Sequence, residues 1–443
     1  MQVPVDHSQP DGEQISLRLG RVPALDPNTR EGALLLIPGG PGAGINEMLA
    51  GAWGMRSAHH VDEFRERYDV VTFDPRGIGQ SNPIRCDPDL VPPVSQPTDE
   101  ASSEADWVAL AATNGEFYAS CFEATGNLMA HLSAQDTAGD IELIRQALGE
   151  DQGLIAYAGS YGSAYAAAYL EQFGDHARAM VLDGVVDHSI DMATFMTRNV
   201  LAVQDAFDRF SAWCAADDAC ALHGQDVGAV FDEVVSLEPV TKTIVPQMLA
   251  GGADPNAGWA LIAQMLAEVQ QGDRTTLEAL TGVVGLASSS ADLWVVAGKN
   301  GLFFGVLCSS FGPQEDYASL LAAWEAVAQL APRFAWKFWD GTPLAHGTAG
   351  TGDCAGWPLA ASNPPHPLQI APNSKVLVAN PTHDPATALA NALSVWGQIP
   401  QARLLLADVD GHQSLLLSQC AYETMASFID DPTSLSSTTL CPA

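Results

Sequence analysis

The sequence predicts an α/β protein with a mostly parallel, doubly wound sheet and a long helical insertion. Short apolar runs alternate with helical patterns over residues 1–187, and the same alternation returns over residues 371–443. Strands that alternate with helices are typical of parallel sheets that are covered on both faces. Residues 188–370 carry mostly helical periodicity instead. We therefore expect a core formed by the first and last of these ranges, with a helical cap inserted between them.

Six short apolar runs predict the core strands. Each run is bounded by turn residues such as Gly, Pro or Asp, and each is short for a helix. The third run breaks sharply into an Ala-rich helical segment over 164–174. The runs occupy residues 32–40, 69–77, 154–162, 177–187, 375–384 and 403–412.

Residues 133–149 form a predicted helix of the core. Ile141, Ile144 and Leu148 recur at helical spacing, and Gly149 is placed to end the helix as its C-cap. The insertion carries further helical patterns at Val200, Val203, Phe207, Phe210 and Trp213, over 258–271, and over 317–331.

The charge balance excludes some functions. The chain has 53 acidic and 19 basic residues, a net charge of −34. Such a surface repels phosphate backbones, so we expect no nucleic-acid partner. No apolar run approaches the roughly 18 residues that cross a bilayer, so we expect no membrane insertion. The opening residues, 1–10, are polar and contain prolines, which is not typical of a signal peptide.

The eight cysteines indicate an oxidising compartment. None stands in a CxxC pair, and their even number along the chain favours disulfides over a zinc site or a redox motif. Cys214 and Cys220 are close enough to close a small loop, and Cys420 and Cys441 are placed to fix the C-terminal segment. Buried free thiols are the alternative. The spacing of His and Cys gives no metal-ligand cluster, so no metal or organic cofactor is expected.

Ser160 is the candidate nucleophile. It stands between a predicted strand and a predicted helix, next to Gly159 and two residues before Gly162. A nucleophile elbow places its Ser in a strained turn at the top of the sheet and therefore needs small neighbours. The G-x-S-x-G pattern is imperfect here, because Ala158 replaces its first Gly. A serine in a glycine-rich turn is often only structural, but the strand–turn–helix context favours the elbow.

Two backbone N–H groups are candidates for an oxyanion hole. The N–H of Tyr161 follows the nucleophile at the positive end of the predicted helix. The glycine-rich segment 38–42 follows the first core strand, where the second donor belongs, and we assign that donor to Gly40. A plain Gly-Pro turn is the alternative interpretation of this segment.

Asp384 and His412 are the candidate acid and base. Each stands just past a predicted strand, and the order along the chain is Ser, Asp, His. The carboxyl ends of parallel strands meet at one edge of the sheet, where ligands bind. His412 would take the proton of Ser160, and Asp384 would orient the imidazole. We expect the neighbouring His383 to be a bystander. Rival acids are Asp183, Asp187, Asp408 and Asp410.

The turn at 74–81 has an expected structural role. Its sequence, DPRGIGQS, places Asp74 and Arg76 so that they could form an ion pair with each other. Such a pair would brace the loops around the site without taking part in the chemistry.

Several motifs together carry a resemblance to a known family. IPGGPGAG, DPRGIGQS, AGSYGSAYAAAYL, NPTHDPATAL and DGHQS occur in this order. With them, nearly the whole chain resembles the secreted tripeptidyl aminopeptidases of actinomycetes. Those enzymes belong to the proline-iminopeptidase-like branch of the α/β-hydrolase fold.

The resemblance implies a fold, a site and a disulfide pattern. It implies an α/β-hydrolase core with a helical cap, an exported protein, and a triad of Ser160, Asp384 and His412 with Gly40 and Tyr161 as the oxyanion hole. The departures are Ala158 and the residue after the base, Gln413; neither removes a catalytic group. The implied disulfides are Cys86–Cys121, Cys214–Cys220, Cys308–Cys354 and Cys420–Cys441.

Three functions are compatible with these residues. The first is a serine exopeptidase that releases short peptides, three residues long by the resemblance, from free N-termini. The second is an esterase or amidase that acts on a small molecule, since the same triad attacks either carbonyl. The third is a non-catalytic binding protein on a hydrolase scaffold. A buried N-terminal ammonium needs a carboxylate partner. The cap offers Asp205, Asp208, Glu233, Glu325 and Asp340.

Overall fold

The fold is centred on one eight-stranded sheet. A computed structural model describes residues 1–49, 60–91, 103–250, 255–284, 290–314, 316–338 and 350–442. The strand order is β10-β9-β8-β7-β6-β4-β5-β3, and every neighbouring pair is parallel except β3 with β5. A separate antiparallel pair, β1 with β2, precedes the sheet. The strands are β1 (Gln2–Pro4), β2 (Gln14–Ser16), β3 (Leu19–Val22), β4 (Gly32–Ile37), β5 (Tyr68–Phe73), β6 (Leu154–Gly159), β7 (Ala177–Asp183), β8 (Val376–His383), β9 (Arg403–Asp410) and β10 (Thr438–Cys441).

The central strands are buried on both faces. In β4, Leu34 and Leu36 belong to one apolar cluster, whereas Leu35 and Ile37 belong to the other. Successive side chains of a strand point to opposite faces, so a continuous apolar run fits a sheet that helices cover on both sides. The doubly wound, mostly parallel sheet predicted from the sequence is confirmed, and all six predicted core strands are present.

Helices fill the connections between the strands. The helix predicted over 133–149 is present as α3 (Ala134–Leu148). Ser133 caps its start in a capping box with Asp136, and Gly149 ends it in the left-handed conformation. The helices are α1 (Ile45–Leu49), α2 (Glu104–Thr125), α3 (Ala134–Leu148), α4 (Gly162–Phe173), α5 (Met192–Ala216), α6 (Val227–Leu237), α7 (Thr241–Ala250), α8 (Pro255–Gln270), α9 (Thr275–Val284), α10 (Ser290–Phe311), α11 (Tyr317–Leu330), α12 (Leu389–Gln398) and α13 (Gln419–Asp430).

The connection between β7 and β8 is helical in its described part, from α5 to α11. In α5, Val200, Val203, Phe207 and Phe210 are buried on one face, as their spacing predicts. The assignment of 188–370 as a separate cap stays a prediction. None of the helices that the structure describes is both long enough and apolar enough to span a bilayer.

Four disulfides bridge the chain as the family resemblance implies. They join Cys86–Cys121, Cys214–Cys220, Cys308–Cys354 and Cys420–Cys441, and the alternative of free thiols is wrong. The third bridge ties α10 to the segment that leads back to the sheet, and the fourth fixes β10 against α13. Closing loops of this length stabilises a fold by roughly 3–4 kcal/mol in the chain-entropy model.

The expected pair of Asp74 and Arg76 is wrong. Arg76 is buried and forms a bidentate ion pair with Asp140 of α3, at 2.7 and 2.8 Å. Its remaining N–H groups donate to carbonyls, including that of Val5 at 2.8 Å. Because a buried guanidinium needs a partner for each N–H, Arg76 ties the N-terminal segment to α3. Asp74 instead accepts from backbone amides, among them Ile45 N–H at 2.8 Å.

Candidate active site

Ser160 stands in a strained turn at the carboxyl edge of the sheet. It lies between β6 and α4 with φ +56°, a value that non-glycine residues rarely adopt. Its N–H donates to the carbonyl of Asp183 at 2.9 Å, which fixes the turn against β7. A Cβ on Gly162 would lie 2.5 Å from the carbonyl oxygen of Ile37. Only glycine therefore lets the turn approach β4 this closely.

The two departures from the family pattern have structural explanations. Ala158 lies within β6 and is fully buried, so its methyl group packs in the sheet core before the turn begins. A Cβ on Gly159 would lie 2.9 Å from Nε2 of Gln413. The Gln413 side chain thus occupies the space beside the elbow that a larger residue at 159 would need.

Asp384 and His412 are hydrogen-bonded to each other past the ends of β8 and β9. Nδ1 of His412 lies 2.8 and 3.0 Å from the two carboxylate oxygens of Asp384. The carboxylate also accepts from the N–H groups of Ala386 and Thr387 at 2.8 Å and from the Thr387 hydroxyl at 2.9 Å. With Nδ1–H donating to the acid, Nε2 carries the free lone pair, which is the tautomer that a general base needs.

The electrostatics of the pair raise the pKa of His412. Burial alone lowers the pKa of the imidazole, but the charge of Asp384 and its hydrogen bond outweigh burial and raise it above the usual value. The charge of Asp183 adds a smaller contribution in the same direction. The neutral, basic form of His412 therefore predominates only at a higher pH than for an exposed histidine.

Ser160 and His412 flank the same short segment. The Asp183 carbonyl accepts from Ser160, and a Cβ on the next residue, Gly184, would lie 2.9 Å from Cε1 of His412. Gly184 has φ +67°, so glycine serves here both the backbone conformation and the close approach of the ring. Within the described residues the Ser160 hydroxyl does not hydrogen-bond His412. Such bonds often tighten only when substrate binds.

Asp183 has a different role from the one considered in the sequence. Its buried carboxylate accepts from the N–H groups of Ser414 and Leu415, at 2.8 and 3.0 Å, and from the Tyr157 hydroxyl at 2.9 Å. Burial raises the pKa of the Asp183 carboxyl, and these hydrogen bonds oppose the shift. Asp183 therefore holds the loop that follows His412 and, through its carbonyl, the turn that carries Ser160. Its position at the end of a core strand was the only sequence signal for this role.

The other rival acids bond to groups away from His412. Asp187 pairs with Arg198 at 3.0 Å, and Asp410 forms a bidentate ion pair with Arg209 of α5. Asp408 accepts from the Thr382 hydroxyl at 3.1 Å. Asp384 is thus the carboxylate that the structure brings to His412.

Residues 38–42 pack against the elbow. A Cβ on Gly39 would lie 2.9 Å from Cβ of Ser160 and 3.3 Å from the backbone nitrogen of Tyr161. Gly40 has φ +105° and precedes a cis peptide bond to Pro41. Neither the N–H of Gly40 nor that of Tyr161 donates a hydrogen bond to any residue that the structure describes. Their assignment to an oxyanion hole stays a prediction.

His383, the last residue of β8, contacts the helical segment. Its Nδ1 lies 2.9 Å from the Asp205 carboxylate of α5. That His383 takes no part in the chemistry stays a prediction. Of the other candidate carboxylates, Asp208 accepts from Gln204 and Glu233 from Gln270, both within the helical segment. Glu325 is exposed on α11, and Asp340 lies outside the described residues.

Comparisons with known proteins agree with the geometry. A family model described as alpha/beta hydrolase fold matches residues 32–275, and one described as TAP-like protein matches residues 342–441. Carboxylesterase B of Mycobacterium tuberculosis is 32% identical over 98% of this chain and 84% of its own. Serine protease Hip1 of the same species is 28% identical over 94% and 81%, respectively. The tripeptidyl aminopeptidase of Streptomyces lividans is 28% identical over 91% and 75%.

Proposed function

This chain belongs to the α/β-hydrolase fold family, in the branch of the tripeptidyl aminopeptidases. We therefore propose that it is a serine exopeptidase that releases short peptides from free N-termini. The released peptides are three residues long. The reaction passes through an acyl-enzyme on Ser160, with His412 as the base and Asp384 as the acid that orients it.

The proposed mechanism has two steps, acylation of Ser160 and deacylation by water. His412 Nε2 takes the proton of Ser160 Oγ as the oxygen attacks the scissile carbonyl, and the N–H groups of Gly40 and Tyr161 stabilise the oxyanion. The imidazolium then gives its proton to the departing amine, which leaves the acyl-enzyme. Water attacks the acyl group with His412 again as the base. The bond to Ser160 Oγ then breaks, the imidazolium returns its proton to that oxygen, and the peptide is released as its carboxylic acid.

One observation carries this proposal. The His412 imidazole is held by a buried carboxylate at 2.8 Å, at the edge of the sheet where the strained Ser160 turn also lies. A serine at φ +56° costs stability of about 1–3 kcal/mol, which a purely structural turn could avoid with glycine. The same contacts argue against a non-catalytic binding protein.

The helical segment supplies a candidate for recognition of the free N-terminus. We assign this role to Asp205, because it alone among the described cap candidates contacts a residue adjacent to the triad acid, His383. Its carboxylate is half exposed, so it remains accessible to a substrate ammonium. In this account residues 188–370 act as the cap that closes over the site.

Chromogenic peptides test the activity. The enzyme should cleave tripeptide p-nitroanilides with a free N-terminus much faster than their N-acetylated forms. Ser160→Ala should reduce kcat by a factor on the order of 10⁶, because the triad acts as a unit. Equal turnover of free and acetylated peptides would exclude an aminopeptidase.

An esterase that acts on small molecules is the second candidate. The similarity to Carboxylesterase B, at 32% identity, favours it specifically. The same serine and base would attack an ester carbonyl without a requirement for an N-terminal ammonium. Rapid cleavage of short acyl esters, with no cleavage of any peptide amide in a digested peptide library, would establish this activity instead.

We also propose that the protein acts outside the cytoplasm. Its four disulfides persist in oxidising surroundings and would be reduced by cytoplasmic thiols. Peptide mapping of the native protein from the culture medium, without reductant, should recover all four linked pairs. Recovery of the enzyme only from the cytoplasm, with free thiols, would contradict this location.

A further inference from the structure

A cavity lies next to the glycine-rich loop that packs against the Ser160 turn. Its volume is about 680 Å³, within the size range of pockets that bind small ligands. It lies between the loop after β4, the loop after β5 and helix α10. The lining residues that matter here are Gly42, Glu47, Asp74, Arg85, Lys299 and Leu302.

Two cations of this cavity have no ionic partner among the residues that the structure describes. Arg85 and Lys299 are exposed, and neither forms an ion pair within the described part of the chain. Most arginines that the structure describes are paired with carboxylates, and Arg85 differs from them in this respect. The paired arginines include Arg18, Arg30, Arg76, Arg145, Arg198, Arg209 and Arg333.

The carboxylates of the cavity are already engaged. Asp74 accepts from the N–H groups of Ile45 and Gln80, at 2.8 and 3.0 Å, and lies 3.8 Å from the Arg18 guanidinium. Glu47 accepts from the N–H of Gly44 at 3.1 Å. Arg85 and Lys299 are the groups of the cavity that can attract an anionic ligand, and their two positive charges balance the negative charges of Asp74 and Glu47.

The wall that carries Lys299 is held close to the loop that carries Arg85. A Cβ on Gly298 would collide with the carbonyl of Ile84, and one on Gly301 would collide with the Cys86–Cys121 disulfide. Helix α10 thus approaches the 84–86 segment as closely as glycine permits. A pocket whose walls are fixed before binding loses less entropy when a ligand is ordered in it.

The cavity lies on the other side of β6 from Asp384 and His412. In the sheet order β9-β8-β7-β6-β4-β5, His412 and Asp384 follow the strands on one side of β6, and the cavity follows those on the other. His412 protonates the leaving group, so the leaving group lies towards β8 and β9. We place the acyl part on the other side of β6, beyond the 39–42 loop whose Gly40 N–H is assigned to the oxyanion.

We propose that this cavity binds a carboxylate on the acyl part of the substrate, with Arg85 and Lys299 as its partners. The enzyme would then prefer peptides that carry Asp or Glu among the residues it releases. This inference rests on the proposed exopeptidase function and adds a substrate class to it.

Matched peptides test the inference. Tripeptide p-nitroanilides with Glu or Gln at one position at a time differ only in the charge offered to the cavity. Charge-assisted hydrogen bonds predict a Glu preference in kcat/KM on the order of tenfold at one position. Lys299→Ala and Arg85→Ala should each reduce this preference, and the double variant should remove it. Added salt should weaken it in the wild type.

Lys375→Ala is the matched control. Lys375 is another exposed lysine without an ion pair in the described chain. It immediately precedes β8, at the amino ends of the parallel strands, whereas the cavity lies at their carboxyl ends. It should retain the full preference for Glu. Equal turnover of Glu and Gln peptides by the wild type at all three positions would overturn the inference. So would a preference that survives in the double variant.

The design separates this inference from the proposed function. If the enzyme cleaves the Gln peptides and shows no preference, the exopeptidase stands and the carboxylate site is wrong. If it cleaves no peptide but cleaves p-nitrophenyl esters, the exopeptidase is wrong. The same variants are then compared on an ester whose acyl group carries a carboxylate and on its neutral amide. A carboxylate preference lost with Lys299 and Arg85 supports the site, and equal turnover rejects it.

Discussion

The ends of strands β8 and β9 and the helices α5 to α11 shape the site in different ways. Past the strand ends, Asp384 and His412 form a hydrogen bond of 2.8 Å. The Asp384 carboxylate also accepts from backbone amides, which hold it in place. The helical segment reaches the same place through exposed or half-exposed side chains, such as Asp205 on His383 and Arg209 on Asp410. Backbone-fixed groups suit proton transfer, which needs fixed geometry, whereas side-chain contacts suit recognition of a variable substrate.

Removal of the Asp384 carboxylate should have a large effect, because this group belongs to the backbone-fixed strand ends. Asp384→Asn keeps the shape of the side chain but no longer selects the Nδ1–H tautomer of His412. We expect kcat to fall by a factor on the order of 10⁴. Steady-state kinetics on a tripeptide p-nitroanilide measures the loss.

The control for that variant is Asp408→Asn. Asp408 is an exposed carboxylate four residues before His412, and it accepts a hydrogen bond from Thr382 rather than from His412. Its kcat should stay close to that of the wild type. If Asp408→Asn lost as much activity as Asp384→Asn, the assignment of the acid would be wrong.

Loss of the buried carboxylate on β7 should have a smaller effect with a distinct signature. Asp183→Asn removes a negative charge that raises the pKa of His412, and it replaces the acceptor for one of the two N–H groups, of Ser414 and Leu415, by an amide NH2. Loss of a charge-assisted hydrogen bond predicts a fall in kcat on the order of tenfold. Without the anion the imidazolium is less stable, so the acid limb of the pH profile should move to lower pH.

Asp69→Asn is the control for the role of Asp183. Asp69 is also a buried carboxylate on a sheet strand, but it pairs with Arg21 and Arg30 away from the triad. Its loss should lower the melting temperature without a shift of the acid limb. An unmoved acid limb in Asp183→Asn would reduce Asp183 to a purely structural residue.

The smallest effect on activity is expected for a substitution in the helical segment. Asp205→Asn should raise KM for peptides with a free N-terminus by about two- to fivefold, the range of a solvent-exposed ion pair. Hydrolysis of N-acetylated peptides should not change. Asp208→Asn, one turn away and bonded to Gln204, should leave both substrates unaffected. A uniform loss on both substrates in Asp205→Asn would show that Asp205 acts on the fold rather than on the N-terminus.

The same comparison explains what the sequence could predict. Ser160, Asp384 and His412 follow core strands, so strand patterns and chain order were enough to place them at one edge of the sheet. The partners of Asp183, Arg76 and His383 were not predictable, because each bonds residues far away in the chain. The Arg76–Asp140 pair spans 64 residues and the His383–Asp205 contact spans 178. Such contacts depend on how helices pack on the sheet, which local periodicity does not encode.

The most direct test of the central claim is the pH dependence of covalent labelling by a fluorophosphonate, with the modified residue identified by mass spectrometry. We predict one label, on Ser160, and a labelling rate that falls on acidification with a midpoint above the ordinary histidine value of about 6.5, because the pKa of His412 is raised. His412→Ala should abolish the label. A label on another residue, or an unchanged labelling rate in His412→Ala, would contradict the account.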